Sequence, residues 1–411
     1  MPPIRPILAA LRHHKAGAIL IAVQVALTLA VVCNALFVIE QRLQRLSRDT
    51  GIAENDIMVV NNRWVSPAAE IPARQAADVA MLRAMPGVAD AYATNAYPLV
   101  GGAWQSGIRL DPASSHFVSE GASIYFVDDH ALNTLGVKVA EGRNFRPDEI
   151  GALVPNGSPD APSIIVTRAL AKRAFPDGHA LGKSLYIGNS DARPSTIVGI
   201  VEHVQTPQTN SSDDIYWEDS IFVPMHLTGS GAFFVIRAQP GRLPALLRAV
   251  PDALKAQSTR RVVPSPHGVM AFRQVREMAY RSDRGLAWML GGICVTLLVV
   301  TAAGIVGLTS FWVGQRRRQI GIRRALGATR RDILVYFLTE NGLISMAGAL
   351  AGVVLAFALN AWMMRAFETS RLSLVYVGSG TAILLLLGQL AVLSPARRAS
   401  RVPPVEATRS V

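Results

Sequence analysis

Cysteine is almost absent. The 411 residues hold two, Cys33 and Cys294, and each falls inside a long apolar run. A disulfide framework and a cysteine-ligated zinc site are both left without material. Within residues 40–285 histidine offers no substitute: His116, His130, His179, His203, His226 and His267 are scattered, with no close pair at metal-ligand spacing. No Gly-x-Ser-x-Gly elbow occurs. The adjacent acids Asp128 and Asp129, and likewise Asp213 and Asp214, would point to opposite faces of a strand. They read as solvated turn residues, so no catalytic site is expected in this chain.

The stretch "FPDGHALGKSL", residues 175–185, ends like a nucleotide-binding P-loop. That loop needs a Gly five residues before its Gly-Lys-Ser, and position 177 is Asp instead. An acid there would face the phosphates it should cradle. The helix-like "TRALAKRAF" precedes the stretch where a strand is required. It reads as a turn before the short strand "SLYIG".

Acids are also scarce. There are 29 Asp and Glu against 41 Lys and Arg, for a net charge of +12, yet half the residues are hydrophobic. A soluble domain rarely pairs the two; a membrane protein with basic loops does. Four apolar runs reach the roughly 20 residues a bilayer needs. They cover residues 16–39, 286–313, 333–367 and 374–393. The first is too long in its apolar core for a cleaved signal and is expected to stay as a helix.

Arginine placement orients the spans. The tail at 1–15 carries Arg5, Arg12 and Lys15 and no acid. The loop at 314–332 carries Arg316, Arg317, Arg318, Arg323, Arg324, Arg330 and Arg331. The tail at 394–411 carries Arg397, Arg398, Arg401 and Arg409. Positive loops stay in the cytoplasm, so both termini are expected inside and residues 40–285 outside. Attraction to anionic membrane lipid is a by-product of that charge. Nucleic-acid binding is not expected, because no basic patch is interleaved with aromatics.

The expected fold is a membrane α-helical protein with four transmembrane helices. A large extracytoplasmic α+β domain is inserted between helices 1 and 2. In that domain "DIMVVNN", "PARQAADVAMLRAM" and "GVADAYATN" read as strand, helix and strand, and "AFFVIRA", "LPALLRAVPDALKAQ" and "RRVVP" repeat the pattern. The two units pair into one layer, with a more irregular subdomain at about 111–220 inserted between them. Helical spacing at Leu43 and Leu46, and at Phe272, Val275 and Met278, predicts two stalk helices continuous with the first two spans.

Small residues recur at four-residue spacing in two spans: Ala303 with Gly307, and Gly348 with Gly352. Such steps let helix backbones approach, within the chain or between permease copies. Glu340, beside Asn341, is costly inside lipid and is the polar candidate of the membrane region.

The most informative segment is "GQRRRQIGIRRALGATRRDI", residues 314–333. Ile320, Ile322, Ala325 and Leu326 give a short amphipathic helix, arginines cover its other face, and Gly327 is its C-cap. From the residues alone, such a helix lies on anionic headgroups or docks a partner.

This segment resembles the "REIGIRRALGATRRDI" signature of the MacB/FtsX/LolC permease family of ABC transporters. The ending "SPARRASRVPPVEATR" is similar to that family's tail. "AEGRNF", "RALAKRAFPDGHALGKSL" and "TIVGIVEHV" resemble its outer domain. The resemblance implies that Ile320, Gly321, Ile322, Arg323, Arg324, Ala325, Leu326, Gly327 and Ala328 form a coupling helix that docks into a cytoplasmic ATPase. Gln319 stands where the family usually has Glu, which puts one polar contact in doubt. The resemblance further implies a bacterial inner-membrane permease without catalysis of its own, ATP and Mg being bound by the partner ATPase. It would pair as a homodimer or with a sister permease, and work beside a periplasmic adaptor and outer-membrane channel. The function implied is efflux or extrusion by mechanotransmission. Lipoprotein release and FtsX-like signalling to a periplasmic partner are the alternatives, and a sensor without an ATPase is the non-transport one. The long outer domain favours the MacB type.

Overall fold

A computed structural model describes residues 15–153, 158–159, 161–188, 192–209, 215–367 and 371–401. Arg5, Arg12, Asp213, Asp214, Arg409 and the turn at 368–370 lie outside the described residues. The chain divides into two units, Arg48–Arg281 and Met1–Ser47 with Ser282–Val411.

The chain enters through helix α1 (Lys15–Leu46), which belongs to the helical unit. The β-rich unit then opens with β1 (Ile57–Trp64), α2 (Ile71–Ala84) and β2 (Val88–Thr94). Pro72 sits in the first turn of α2, where a missing N–H costs nothing. Ile71, Gln75, Asp78, Val79 and Leu82 form its buried stripe, at helical spacing but with two polar members.

A long excursion follows. It comprises β3 (Gln105–Arg109), β4 (Ser119–Val127), α3 (Ala131–Leu135), β5 (Val139–Gly142), β6 (Gly151–Ala152), β7 (Ser163–Thr167), α4 (Arg168–Ala174), β8 (Ser184–Ile187), β9 (Pro194–Val201) and β10 (Ser220–His226). The chain returns through β11 (Gly231–Ala238), α5 (Leu243–Gln257), β12 (Arg261–Val262), β13 (Val269–Ala271) and α6 (Phe272–Ala279).

The outer strands form one antiparallel sheet in the order β12-β1-β11-β2, with β13 beside β1. Each strand–helix–strand unit thus takes the first strand of the other between its own two, the split arrangement of ferredoxin-like layers. Residues that alternate along β1 and β11, such as Met58 and Val60 with Phe234 and Ile236, meet α2 and α5 in one core. The excursion makes a second sheet, β4-β3-β8-β9-β7-β10-β6, with parallel β7–β9 and β10–β4 pairs. Its strands run from Gln105 to His226, wider than the expected 111–220. Its core is aliphatic and centres on Ile124, Ile164, Val166, Ile197 and Ile221.

The helical unit continues with α7 (Arg281–Gln315), α8 (Arg317–Ala325), α9 (Arg330–Phe367) and α10 (Leu374–Ser400). Four of its helices, α1, α7, α9 and α10, are long and apolar enough to cross a membrane. Polar tethers join them: the Thr28 and Thr301 hydroxyls lie 2.8 Å apart, and Asn34 donates to the Ala356 carbonyl at 3.1 Å. Each such bond contributes on the order of 0.6 kcal/mol in a bilayer, so close packing must supply most of the cohesion. Gly348 and Gly352 show how. A Cβ on Gly348 would lie 2.6 Å from the Ala22 carbonyl oxygen, and one on Gly352 would lie 2.9 Å from that of Ala26. The two glycines bring α9 onto α1 of the same chain. That step is thus a packing contact inside the chain, and its space is already filled. Ala303 and Gly307 differ, since both are exposed and a Cβ on Gly307 would meet nothing within 4 Å.

Candidate functional site

The segment between the second and third spans is held at both ends and open in the middle. α7 runs to Gln315, and Arg316 makes the joint at φ −96° and ψ 8°. The Arg316 amide still donates to Trp312, and its carbonyl accepts from the Ile320 amide at 2.9 Å. The span therefore passes into α8 without a free hydrogen-bonding group at the joint.

Ile320 anchors α8. It is buried with Ile21, Val313, Ile333, Phe337 and Val392, drawing α1, α7, α9 and α10 to one cluster. Gly321 is buried beside it. Arg324 donates to the Ser400 carbonyl at 2.8 Å, placing a cation on the C-terminal end of α10. The Arg323 guanidinium lies 4.9 Å from the Tyr336 ring centroid.

The helix stops sharply. Gly327 adopts φ +99°, which an L side chain would resist. The Ala328 amide bonds to Arg323 O and the Gly327 amide to Arg324 O, the paired bonds of a Schellman cap. Two residues later α9 opens on a reciprocal cap: the Thr329 amide donates to Asp332 Oδ2 at 2.9 Å and the Asp332 amide to Thr329 Oγ1 at 3.2 Å. With both ends fixed, Ile322 and Leu326 are left 46% and 83% exposed. Two large aliphatic side chains standing free on a short, anchored helix are the chief surface feature of this segment.

Glu340 is buried and paired. Arg316 Nη1 donates to both of its carboxylate oxygens, at 3.0 and 3.1 Å. Its neighbour Asn341 donates to the Gly388 carbonyl of α10 at 3.1 Å. Arg316 was not singled out by the sequence, where it counts as one of seven loop arginines. The available signal was its position as the first of them, directly at the end of an apolar run. A charge at that span end can reach an acid nearly three turns inside the next helix.

The expected stalk is only half continuous. Leu43, exposed, and Leu46, half-buried, lie on α1 without interruption from the span. Phe272, Val275 and Met278 lie on α6, which ends at Ala279, and α7 begins anew at Arg281. The reason is local to the β-rich unit. Phe272 and Val275 are core residues there, and Tyr280 is 2% exposed with its hydroxyl accepting from Gln205 Nε2 at 2.9 Å. Packing of the Tyr280 ring outweighs the small gain from continuing the helix.

Two further expectations meet the structure. Asp128 is not a solvated turn residue: it is buried, and Arg83 Nη2 donates to it at 2.7 Å. Burial pushes its carboxyl above the usual carboxylate range, against the pull of Arg83. In the P-loop-like stretch, Lys183 is spent on Asp177 at 2.8 Å, and the Gly182 amide is spent on Ile197 O. Neither is available to a phosphate. Among the described residues no group of His, Cys, Asp and Glu is placed to hold a metal.

Comparison with known proteins gives two family matches. The MacB-like periplasmic core domain matches residues 18–253, and the FtsX-like permease C-terminal domain matches residues 291–404. Among similar proteins is the macrolide export ATP-binding/permease protein MacB of Chromobacterium violaceum. It is 28% identical over 300 residues, 71% of this chain and 44% of the relative. The ABC transporter permease YvrN of Bacillus subtilis is 26% identical over 326 residues, 74% of this chain and 77% of its own. The pyoverdine export ATP-binding/permease protein PvdT of Pseudomonas syringae pv. tomato is 39% identical over 130 residues, 32% of this chain and 20% of the relative. The matches span 44% of that MacB and 20% of that PvdT, less than two thirds of either relative's own length. With the core-domain match covering more than half of its residues, the chain belongs to the MacB/FtsX-like family of ABC transporter permeases.

Proposed function

We propose that this chain is the membrane-spanning subunit of an export system, and that α8 receives the stroke of a separate ATP-hydrolysing subunit. The observation that carries the reading is the pair Ile322 and Leu326, exposed on a helix whose Ile320 is buried among four spans. Such a helix gives a partner an apolar grip. Its anchors, Arg316 to Glu340 and Arg324 to Ser400, pass displacement on to α9 and α10. A rigid-body transition needs that kind of stiff link.

In this reading α8 and both termini face the cytoplasm of a bacterial inner membrane, and the β-rich unit faces outward. The arginine-rich loop supports that orientation. ATP and Mg belong to the partner, and the chain itself is not catalytic. Because α6 and α7 are separate helices, α1 is the stiffer route from the spans to the outward side. A second permease copy packs on α7, the least buried span, over Ala303 and Gly307. The relatives named for macrolide and pyoverdine export support export of a small molecule.

The test is purification of the full chain from its native membrane in mild detergent, beside a variant carrying Ile322→Asp and Leu326→Asp. Both positions are exposed, so the variant should fold. An ABC ATPase should accompany the native chain and be lost from the variant. Equal recovery with both, or none with either in several detergents, would remove the motor from this proposal.

A further inference from the structure

The β-rich unit contains a cavity of about 450 Å³ between α2 and the ends of β4 and β10, within the size range of small-molecule sites. One wall is α2, with Gln75, Val79 and Arg83; opposite lie Asp128 and Asp129, just past β4, and Leu227, just past β10. Ile150 and Pro147 close one side. The lining is mainly apolar, so the polar groups that remain decide what would fit.

These polar groups differ in what they offer. Gln75 is 3% exposed, and its Oε1 has no hydrogen-bond partner among the described residues. That oxygen is closed to a water-sized group, so it offers a ligand no contact. Arg83 is already committed, to Asp128 at 2.7 Å and to the Ala91 carbonyl at 2.7 Å. Asp129 uses only its backbone, accepting from Asn144 Nδ2 at 2.7 Å. Its half-buried carboxylate has no partner among the described residues. The Arg83–Asp128 pair cancels, Thr228 Oγ1 donates to the Leu153 carbonyl, and the exposed imidazole of His226 lines the same space; Asp129 is the one carboxylate left over.

We infer that this cavity binds a small amphipathic cation, its amine against Asp129 and its apolar body against Val79, Ile150 and Leu227. An anionic ligand would meet Asp129 unopposed. A purely apolar one would leave Asp129 desolvated without compensation. Binding requires neither ATP nor a partner subunit, so it stands or falls apart from the coupling reading.

The test uses the full chain in lipid nanodiscs at pH 8 and dansylcadaverine, a fluorescent amphipathic amine, with uncharged dansylamide as its comparison. Saturable binding of dansylcadaverine with blue-shifted emission is expected. Asp129→Asn should weaken it by about tenfold, the share of one charge-assisted contact, and leave dansylamide unchanged. Ala76 lines the cavity and is exposed, so Ala76→Trp fills the space without entering the core and should abolish both signals. Asp177→Asn, on an exposed turn, should change nothing. Uptake that does not saturate, or is the same in the native chain, Asp129→Asn and Ala76→Trp, is adsorption to lipid and would overturn the assignment.

Discussion

Arg316 and Glu340 face each other across the joint between α7 and α8, one guanidinium nitrogen within 3.1 Å of both carboxylate oxygens. Their side chains are 10% and 4% exposed. In such surroundings the attraction does little more than repay the cost of taking two charges from water. Removing one partner is the expensive change. Arg316→Ala should destabilise the protein by about 3–5 kcal/mol. Arg316→Met with Glu340→Met should recover most of that loss. Thermal unfolding in detergent measures both. If the single and double variants unfold together, the pair is not what holds Glu340 in place.

The same test applies in the β-rich unit, where Arg261 and Asp78 form a two-pronged pair at 2.9 and 3.0 Å, 4% and 1% exposed. The Arg261 guanidinium also lies over the Trp64 ring, 4.3 Å from its centroid. Burial raises the Asp78 carboxyl, and Arg261 opposes that rise. Arg261→Met keeps the stem that packs on Trp64 but strands Asp78, at a cost of about 3–5 kcal/mol. Adding Asp78→Leu should return stability to near the native value. Failure of the second change to rescue the first would assign the loss to Arg261 packing instead.

Hydropathy and period made much of this fold legible. The four apolar runs locate the four long helices, and the short β-branched and aromatic runs in "DIMVVNN" and "AFFVIRA" locate the two central strands. Gly327 marks the end of α8 because only a residue tolerant of positive φ fits there. Other features depend on who meets whom in space. Glu340 finds Arg316 across a turn that sequence cannot fold. Gln75 and Asp78 break the apolar pattern of α2, yet nothing local distinguishes the one with a partner from the one without. Tyr280 interrupts a helical pattern because its ring is packed and its hydroxyl bonded by Gln205, 75 residues away. The cavity beside α2 exists only once that helix meets the ends of β4 and β10.

Close packing between α1 and α9 gives a contrast between two glycines. Gly348→Leu drives a side chain into the Ala22 carbonyl region and should destabilise by about 1–3 kcal/mol or more. Gly307→Leu enters open space and should leave unfolding of the single chain unchanged. If a second copy packs on α7, the same Gly307→Leu should weaken self-association, read by light scattering or cross-linking in nanodiscs. A Gly348→Leu protein as stable as the native one would mean that α1 and α9 are further apart than described.

The turn beside the cavity should respond to acid with a definite sign. Glu149 accepts two bonds from Arg143, at 2.6 and 2.7 Å, and one from the Arg146 amide at 2.8 Å. Arg143, above all, draws its carboxyl down from 4.5 to about 2. The folded chain therefore takes up this proton later than the unfolded chain as pH falls. The contribution of Glu149 is fully present above about 4.5 and is lost on descent through about 2. Glu149→Gln should be less stable than the native chain at neutral pH, by an amount screened by solvent and so modest. The gap should narrow below pH 4.5 and close near 2. Unfolding curves for both proteins in a nonionic detergent, at several pH values across that window, check the sign directly. A gap that stays constant with pH would mean that Glu149 serves the turn by shape and hydrogen bonding, with no contribution from its charge.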